Sequence, residues 1–252
     1  MRRSVTWRIV VALLAVLGAA ACEGTGDGDD GRIVVFAAAS LTEAFGELAT
    51  GFRTTGGGVA VELNLAGSPS LRTQILNGAP ADVFASADPS TMTELVGAGA
   101  ADDPVDFAVN RLQIAVPPGN PAGVRGLADF ADPRLLLGLC AEEVPCGPLA
   151  RHALARAAVT PSIDTDEPDV RSLLTKVQAG ELDAGIVYRS DVLAAAGTVE
   201  GIDVPPEVNA TATYPIAVLT EAANPDAADL FKAYVLSREG QAVLASHGFE
   251  AP

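Results

Sequence analysis

The segment "VVFAAASLTEAF", residues 34–45, decides how the rest of the chain reads. Its first part is a short continuous apolar run, the pattern of a strand covered on both faces. It ends in three alanines and Ser40, and a helix-like pattern begins at once. The same strand–turn–helix sequence follows twice more. "VAVELNLA" reads as a strand and "SLRTQILNG" as a helix; "DVFASA" reads as a strand and "PSTMTELVGAG" as a helix. This alternation predicts an α/β fold built on an open, mostly parallel sheet with helices on both faces.

At "NRLQIAVPPGNP" a strand runs into a Pro/Gly-rich loop and a second unit begins. Its strands are "RLLLGLC" and "LDAGIVY", its helices "PLARHALARAAV" and "VRSLLTKVQAG". "ATATYPIAVL" reads as a long strand, followed by two helical segments, "DAADLFKAYVL" and "SREGQAVLASHG". Two α/β lobes are expected, residues 32–110 plus 212–252 and residues 111–211. The chain then crosses between them twice. Such a two-segment hinge lets the lobes close on a ligand like a clam.

The first 21 residues read as a leader outside the fold. Arg2, Arg3 and Arg8 precede the apolar run from Ile9 to Ala21, which ends in "LGAAAC". A positive start, a short apolar stretch and small residues describe a secretory signal. The stretch is short for a transmembrane span. Small residues directly before Cys22 resemble the lipobox of bacterial lipoproteins, in which the cysteine becomes the lipid-modified first residue; Ala19 stands where that motif prefers leucine. An ordinary signal peptide or an uncleaved helix are the alternatives. Residues 22–31 carry glycines and acids and form a flexible tether. The expected location is therefore outside the cytosol, anchored by lipid to the outer face of the cytoplasmic membrane.

The 252 residues include only 19% charged ones and carry a formal charge of −16. Loss of the leader's three arginines takes this to −19. Lys176 and Lys232 are the only lysines. That balance argues against nucleic acid as a partner. An anionic ligand would have to be held by oriented short-range donors rather than by a long-range field. Cys140 and Cys146 remain after the leader. Export favours a disulfide between them over two free thiols. Their C-x5-C spacing is not that of a zinc site.

Ligands of open α/β sheets sit beyond the carboxyl ends of strands. After the first strand comes Ser40 with Glu43 three residues on, a capping-box spacing. After the second, in "AGSPS", Ser68 reads as a helix cap and Pro69 as the first helical residue. After the strand at Cys140, Pro145, Gly147 and Pro148 fix a loop, with Pro148 suited to open a helix. Asp169 is a natural cap, which leaves the N–H of Val170 unpaired. Tyr188 closes the strand "GIVY". Each position alone is accounted for by capping, loop geometry or packing. Together they are helix N-termini and hydroxyls from both lobes, a donor set suited to a small anion.

The ordered set "FAAASLTEAF", "AGSPSL", "QILNGAPADVFASAD", "VPCG", "DVRSLLTKVQAGELDAGIVYRSD" and "YPIAVL" resembles the molybdate-binding proteins of bacterial ABC importers, over residues 33–249. The resemblance implies a two-lobed solute-binding fold and no enzyme activity. It implies a tetrahedral oxyanion, molybdate or tungstate, held by the hydroxyls of Ser40, Ser68 and Tyr188 and the backbone N–H groups of Cys146 and Val170. Pro69 stands where the family often has a serine or another small residue, and it has no N–H to give. Molybdenum would enter only as the bound oxyanion, with no cofactor. The implied partners are the permease and ATPase of an importer, and the chain itself would be a monomer. Sulfate or another small oxyanion is the alternative ligand.

A serine hydrolase is a more distant alternative. Neither Ser40 nor Ser68 lies in G-x-S-x-G or begins S-x-x-K. Nothing in the sequence pairs His152 or His247 with a serine. No cluster of His, Asp and Glu has the spacing of a cation site.

Overall fold

Strand β1 (Arg32–Ala38) lies at the centre of the first half of the sheet, parallel to β2 (Ala60–Ala66) on one side and β3 (Val83–Ala85) on the other. The computed structural model describes residues 31–252; the expected leader, the lipidation position Cys22 and the tether through residue 30 lie outside the described residues. The connecting helices are α1 (Thr42–Thr55), α2 (Ser68–Leu76) and α3 (Pro89–Gly97). β1 is buried nearly throughout, because helices cover both its faces.

The second half repeats this plan. β5 (Leu137–Cys140) runs parallel to β6 (Thr165–Glu167) and β7 (Ala184–Tyr188). Helices α4 (Cys146–Arg156), α5 (Val170–Gln178) and α6 (Arg189–Ala194) belong to it, as does the short strand β8 (Glu200–Asp203). Among the described residues the strands form one nine-stranded sheet of order β2-β1-β3-β9-β4-β7-β5-β6, with β8 paired to β4.

Two strands join the halves. β4 (Ala101–Val116) pairs antiparallel with β9 (Thr211–Leu219) from Ala101↔Leu219 to Arg111↔Thr211. From Leu112 onward its partners are β7 and β8. The parallel pairs thus lie in the outer parts of the sheet, and the antiparallel ones gather where the halves meet. The expected boundary at 110/111 falls inside β4. Helices α7 (Pro225–Leu236) and α8 (Arg238–Ser246) return to the first half. There Phe45 packs against Phe107 and Phe231, with ring centroids 5.8 and 6.1 Å apart.

β4 begins at Ala101, earlier than the apolar pattern from Asn110 predicts. Its first part reads "ADDPVD", and Asp and Pro argue against a strand. The structure accommodates them with register shifts between Asp102 and Val105 and between Asp106 and Ala108, and with Asp103 at φ 46°. Such bulges let a strand carry residues that a regular ladder would reject.

Cys140, the last residue of β5, is bonded to Cys146, the first residue of α4, and both are buried. α4 begins two residues before Pro148, which falls in its first turn. Gly147 completes this corner. A Cβ there would stand 2.0 Å from the carbonyl oxygen of Ala141 and 2.8 Å from that of Cys140. Both obstacles are backbone, so the corner cannot yield by a rotamer change. We predict that Gly147→Ala lowers stability by about 1–3 kcal/mol, the usual cost of forcing volume into a packed site. Urea unfolding of the oxidised protein measures this, and an unchanged midpoint would contradict it.

Candidate functional site

Ser40, Ser68, Cys146, Val170 and Tyr188 meet at one small cavity of about 10 Å³ between the two halves. Ala38, Ala39, Gly67, Ala87, Val144, Pro145 and Asp169 complete its lining. Strand order brings them together. Ser40 follows β1, Ser68 follows β2, Cys146 follows β5, Val170 follows β6 and Tyr188 ends β7. All are therefore at the carboxyl edge of the parallel strands, where the backbone turns away and leaves space.

Ser40 is not a helix cap. A single 3₁₀ turn, Ala39–Leu41, intervenes after β1, and α1 begins at Thr42 with Leu41 in the cap position. The Ser40 hydroxyl is free of the helix and lies 2.9 Å from the Tyr214 hydroxyl. Glu43 does not reach back to form a capping box. It pairs across the cavity's edge with Arg171 of α5, at 2.7 and 3.2 Å. Ser68 also departs from the expected role. Gly67 is the cap, Ser68 and Pro69 open α2, and the Ser68 Oγ accepts a hydrogen bond from the Ala87 N–H at 3.0 Å.

Asp169 caps α5 as its sequence suggests. One carboxylate oxygen accepts from the Ser172 N–H at 2.9 Å and the other from the Ser172 hydroxyl at 3.0 Å. This carboxylate is therefore engaged with its own helix, although it borders the cavity. Glu143 belongs to a neighbouring groove rather than to the cavity.

What remains to face the cavity is a set of donors. Cys146 and Val170 are the first residues of α4 and α5, so their N–H groups have no partner within the helix. Neither donates a backbone hydrogen bond elsewhere among the described residues. The Ser68 oxygen already accepts from Ala87, which leaves its proton for the cavity. The Tyr188 hydroxyl is buried beside the Tyr214 hydroxyl but makes no hydrogen bond of good geometry. Burial, then the fields of Tyr214, Asp191 and Asp88, push its pKa well above 10, so it keeps its proton. Leaving such a group unpaired costs about 1–3 kcal/mol, so a ligand that accepts its proton is favoured by at least that deficit. Two helix N-termini add favourable potential for negative charge.

The walls approach closely beside this cavity. A Cβ on Gly67 would stand 2.9 Å from the carbonyl oxygen of Pro168, which belongs to the other half. Only glycine permits the contact without displacement.

The sequence profile described as "Bacterial extracellular solute-binding protein" matches residues 33–250. The chain belongs to this family. It is 39% identical over 221 residues to the molybdate-binding protein ModA of Mycobacterium tuberculosis, spanning 87% of this chain and 85% of that protein. The solved substrate-binding domain of a putative molybdenum ABC transporter from Clostridium difficile is 27% identical, with TM-score 0.67, covering 88% of this chain and 99% of that one. The sulfate-binding protein SubI of M. tuberculosis has the same fold, with TM-score 0.77 at 19% identity, covering 87% and 86%. The two-lobed solute-binding architecture expected from the sequence is thus the one observed.

Three residues that contact the candidate site were not singled out by the sequence. Tyr214 and Ala87 engage the two serines, and Asp191 lies beneath Tyr188. Tyr214 and Ala87 stand in "YPIAVL" and "DVFASAD", but their partners are 174 and 19 residues away. Asp191 is 1% exposed. It accepts from the Tyr188 N–H at 3.0 Å through one oxygen, and its other oxygen has no partner. Burial raises its pKa to about 7, against the Tyr188 N–H and Arg171, which lower it; Glu43 and Asp169 raise it further.

In the unfolded chain an aspartate titrates near ~3.9. Between that value and about 7 the native state holds the extra proton, so stability falls as pH rises through this window and stays at its lower level above it. Asp191→Asn keeps an acceptor for the Tyr188 N–H and removes the charge. We predict that the variant gains on the wild type by about 2–3 kcal/mol between pH 5 and pH 8, since two pH units of that window correspond to ~2.7 kcal/mol. Urea unfolding at the two pH values measures the difference, and a constant gap between the proteins would exclude the effect.

Proposed function

We propose that the protein captures molybdate, and tungstate with it, in the cavity between residues 32–110 plus 212–252 and residues 111–211, acting as lobes that close on the ion. The carrying observation is the donor set at that cavity. Ser40, Ser68 and Tyr188 would give hydroxyl protons, and Cys146 and Val170 backbone N–H groups. Molybdate and tungstate are full dianions at neutral pH and only accept hydrogen bonds. A cavity offering donors from five positions, with its bordering carboxylate engaged elsewhere, matches that chemistry. The molybdate-binding ModA relative supports the same reading.

Delivery would be to the permease and ATPase of an ABC importer. Cys22 would carry the lipid that holds the protein, as a monomer, at the outer face of the membrane. Binding and release suffice for this role; no nucleophile with an adjacent base is needed. Charge-assisted hydrogen bonds of about 1.5–3 kcal/mol each offset the repulsion of an acidic surface, since salt screens distant charges beyond ~8–10 Å.

Calorimetric titration with molybdate, tungstate, sulfate and phosphate tests the reading. Heat of tight binding is expected with the first two. Tight sulfate binding without molybdate heat would replace the ligand, given that SubI shares the fold. Tryptophan fluorescence offers no readout on the mature form, because Trp7 is the only tryptophan and lies in the leader segment. Tyr188→Phe removes one donor and should weaken molybdate binding by about 1–3 kcal/mol. Unchanged affinity would take Tyr188 out of the site.

A further inference from the structure

Glu43 and Arg171 meet from different halves of the protein. Glu43 is in the first turn of α1, three residues after Ser40, and Arg171 is the second residue of α5, directly after Val170. Two guanidinium nitrogens donate to the two carboxylate oxygens, at 2.7 and 3.2 Å, and each side chain stays one-third exposed. Arg171 also lines an open groove that shares Ala39 and Asp169 with the cavity. The pair therefore bridges the helices that follow two of the proposed donors, at the rim where the cavity meets solvent.

The helices do not account for this pair by themselves. A cation in the first turn of a helix stands at the end where the backbone favours negative charge, so Arg171 is poorly placed for α5. Asp169 is not its partner, since both oxygens of that carboxylate are engaged by Ser172. What Arg171 gains comes from Glu43, 128 residues away on the other half. The other ion pairs among the described residues lie within one half or, for Arg111 and Glu250, beside β4 where the halves join. The Glu43–Arg171 pair also needs the halves to be drawn together. They are so here, with a cavity of about 10 Å³ and Gly67 close against the Pro168 carbonyl.

We infer that Glu43 and Arg171 are a positioning pair that latches the halves over a bound ion and slows its release, without touching the ion. The inference rests on the reading that the halves close on an oxyanion. On that reading, opening the cleft draws α1 away from α5 and breaks the pair, so the pair contributes in the closed state alone. A loaded protein must give up this contact before the ion leaves, whereas an open one meets the ion before the contact forms. The pair therefore acts on release rather than on capture. Its exposure limits the size of the effect, and its bidentate geometry places it toward the upper end of what exposed pairs contribute.

The test is Glu43→Gln, with release of radiolabelled molybdate followed from the loaded protein into excess unlabelled molybdate. Release should be faster by about two- to fivefold, the range open to such a pair. The direction of the change is decisive. If Arg171 served only to attract the anion, freeing it from Glu43 would slow release or leave it unchanged, and either result overturns the inference. In an Arg171→Gln background Glu43→Gln should no longer speed release; an acceleration that persists there also overturns it. A pair that merely stabilised the folded chain would lower the urea midpoint of the ligand-free protein and leave release untouched, which overturns it as well. Arg171→Lys keeps the charge but loses the two-pronged contact, and should speed release by a smaller factor. This second variant decides the matter if Glu43→Gln fails to fold. If sulfate proves to be the ion that binds, labelled sulfate takes the place of molybdate with the same expectations. A wild type that holds none of these ions refutes the oxyanion reading together with this one. Binding with an unmoved release rate refutes only the latch.

Discussion

The antiparallel ladder between β4 and β9 is the interaction on which the rest depends. It joins the two halves of the sheet, because β4 leaves β9 at Arg111 and continues beside β7 and β8. It also carries residues that pack behind the candidate site. Asn110 and Tyr214 lie on these two strands, two residues out of direct register, since Ala108 faces Tyr214 and Asn110 faces Ala212. The segments that join the halves thus also carry Tyr214, whose hydroxyl meets that of Ser40. Its bulges at Asp102–Val105 and Asp106–Ala108 relieve the ladder away from the site and leave it regular from Ala108 to Arg111, where the polar network sits.

A chain of formal charge −16 offers an anion no attractive field at long range. What it offers is local. Two helix N-termini converge on the cavity, and the hydroxyls of Ser68 and Tyr188 have no internal use for their protons. No lysine or arginine lines the cavity. Arg171 stands outside it, neutralised by Glu43. Within a low-dielectric pocket such oriented dipoles act strongly, and they discriminate by hydrogen-bond polarity in a way that a bare ammonium cannot.

The strand-to-helix rhythm was legible because each unit carries a local signal. Apolar runs such as "RIVVFAA" and caps such as Asp169 need no distant partner to be read. Each of the five cavity positions ends or follows a strand or starts a helix, but locally each reads as capping, loop or packing, and it is the resemblance of their ordered motifs to a known family that groups them. What could not be read depends on contacts between remote segments. Ser40 looked like a cap because S-x-x-E is a local pattern, and only the approach of β9 gives it Tyr214 instead. Glu43 looked like the other half of that cap until α5 placed Arg171 beside it. The first part of β4 was hidden by Asp and Pro, whose cost as strand residues is met by bulges that no local pattern announces. Asp191 gave no sign of its raised pKa, because burial is a property of the assembled fold.

Gly67 meets the Pro168 carbonyl with no room even for a methyl group. Two walls already in contact cannot advance further, so this pair of residues acts as a mechanical stop. A stop fixes the smallest gap between the rows of donors on either side. An ion smaller than that gap can touch one row or the other but cannot satisfy both. On the proposed reading, this contact would set a floor on ionic radius, through a glycine that donates nothing to the ligand.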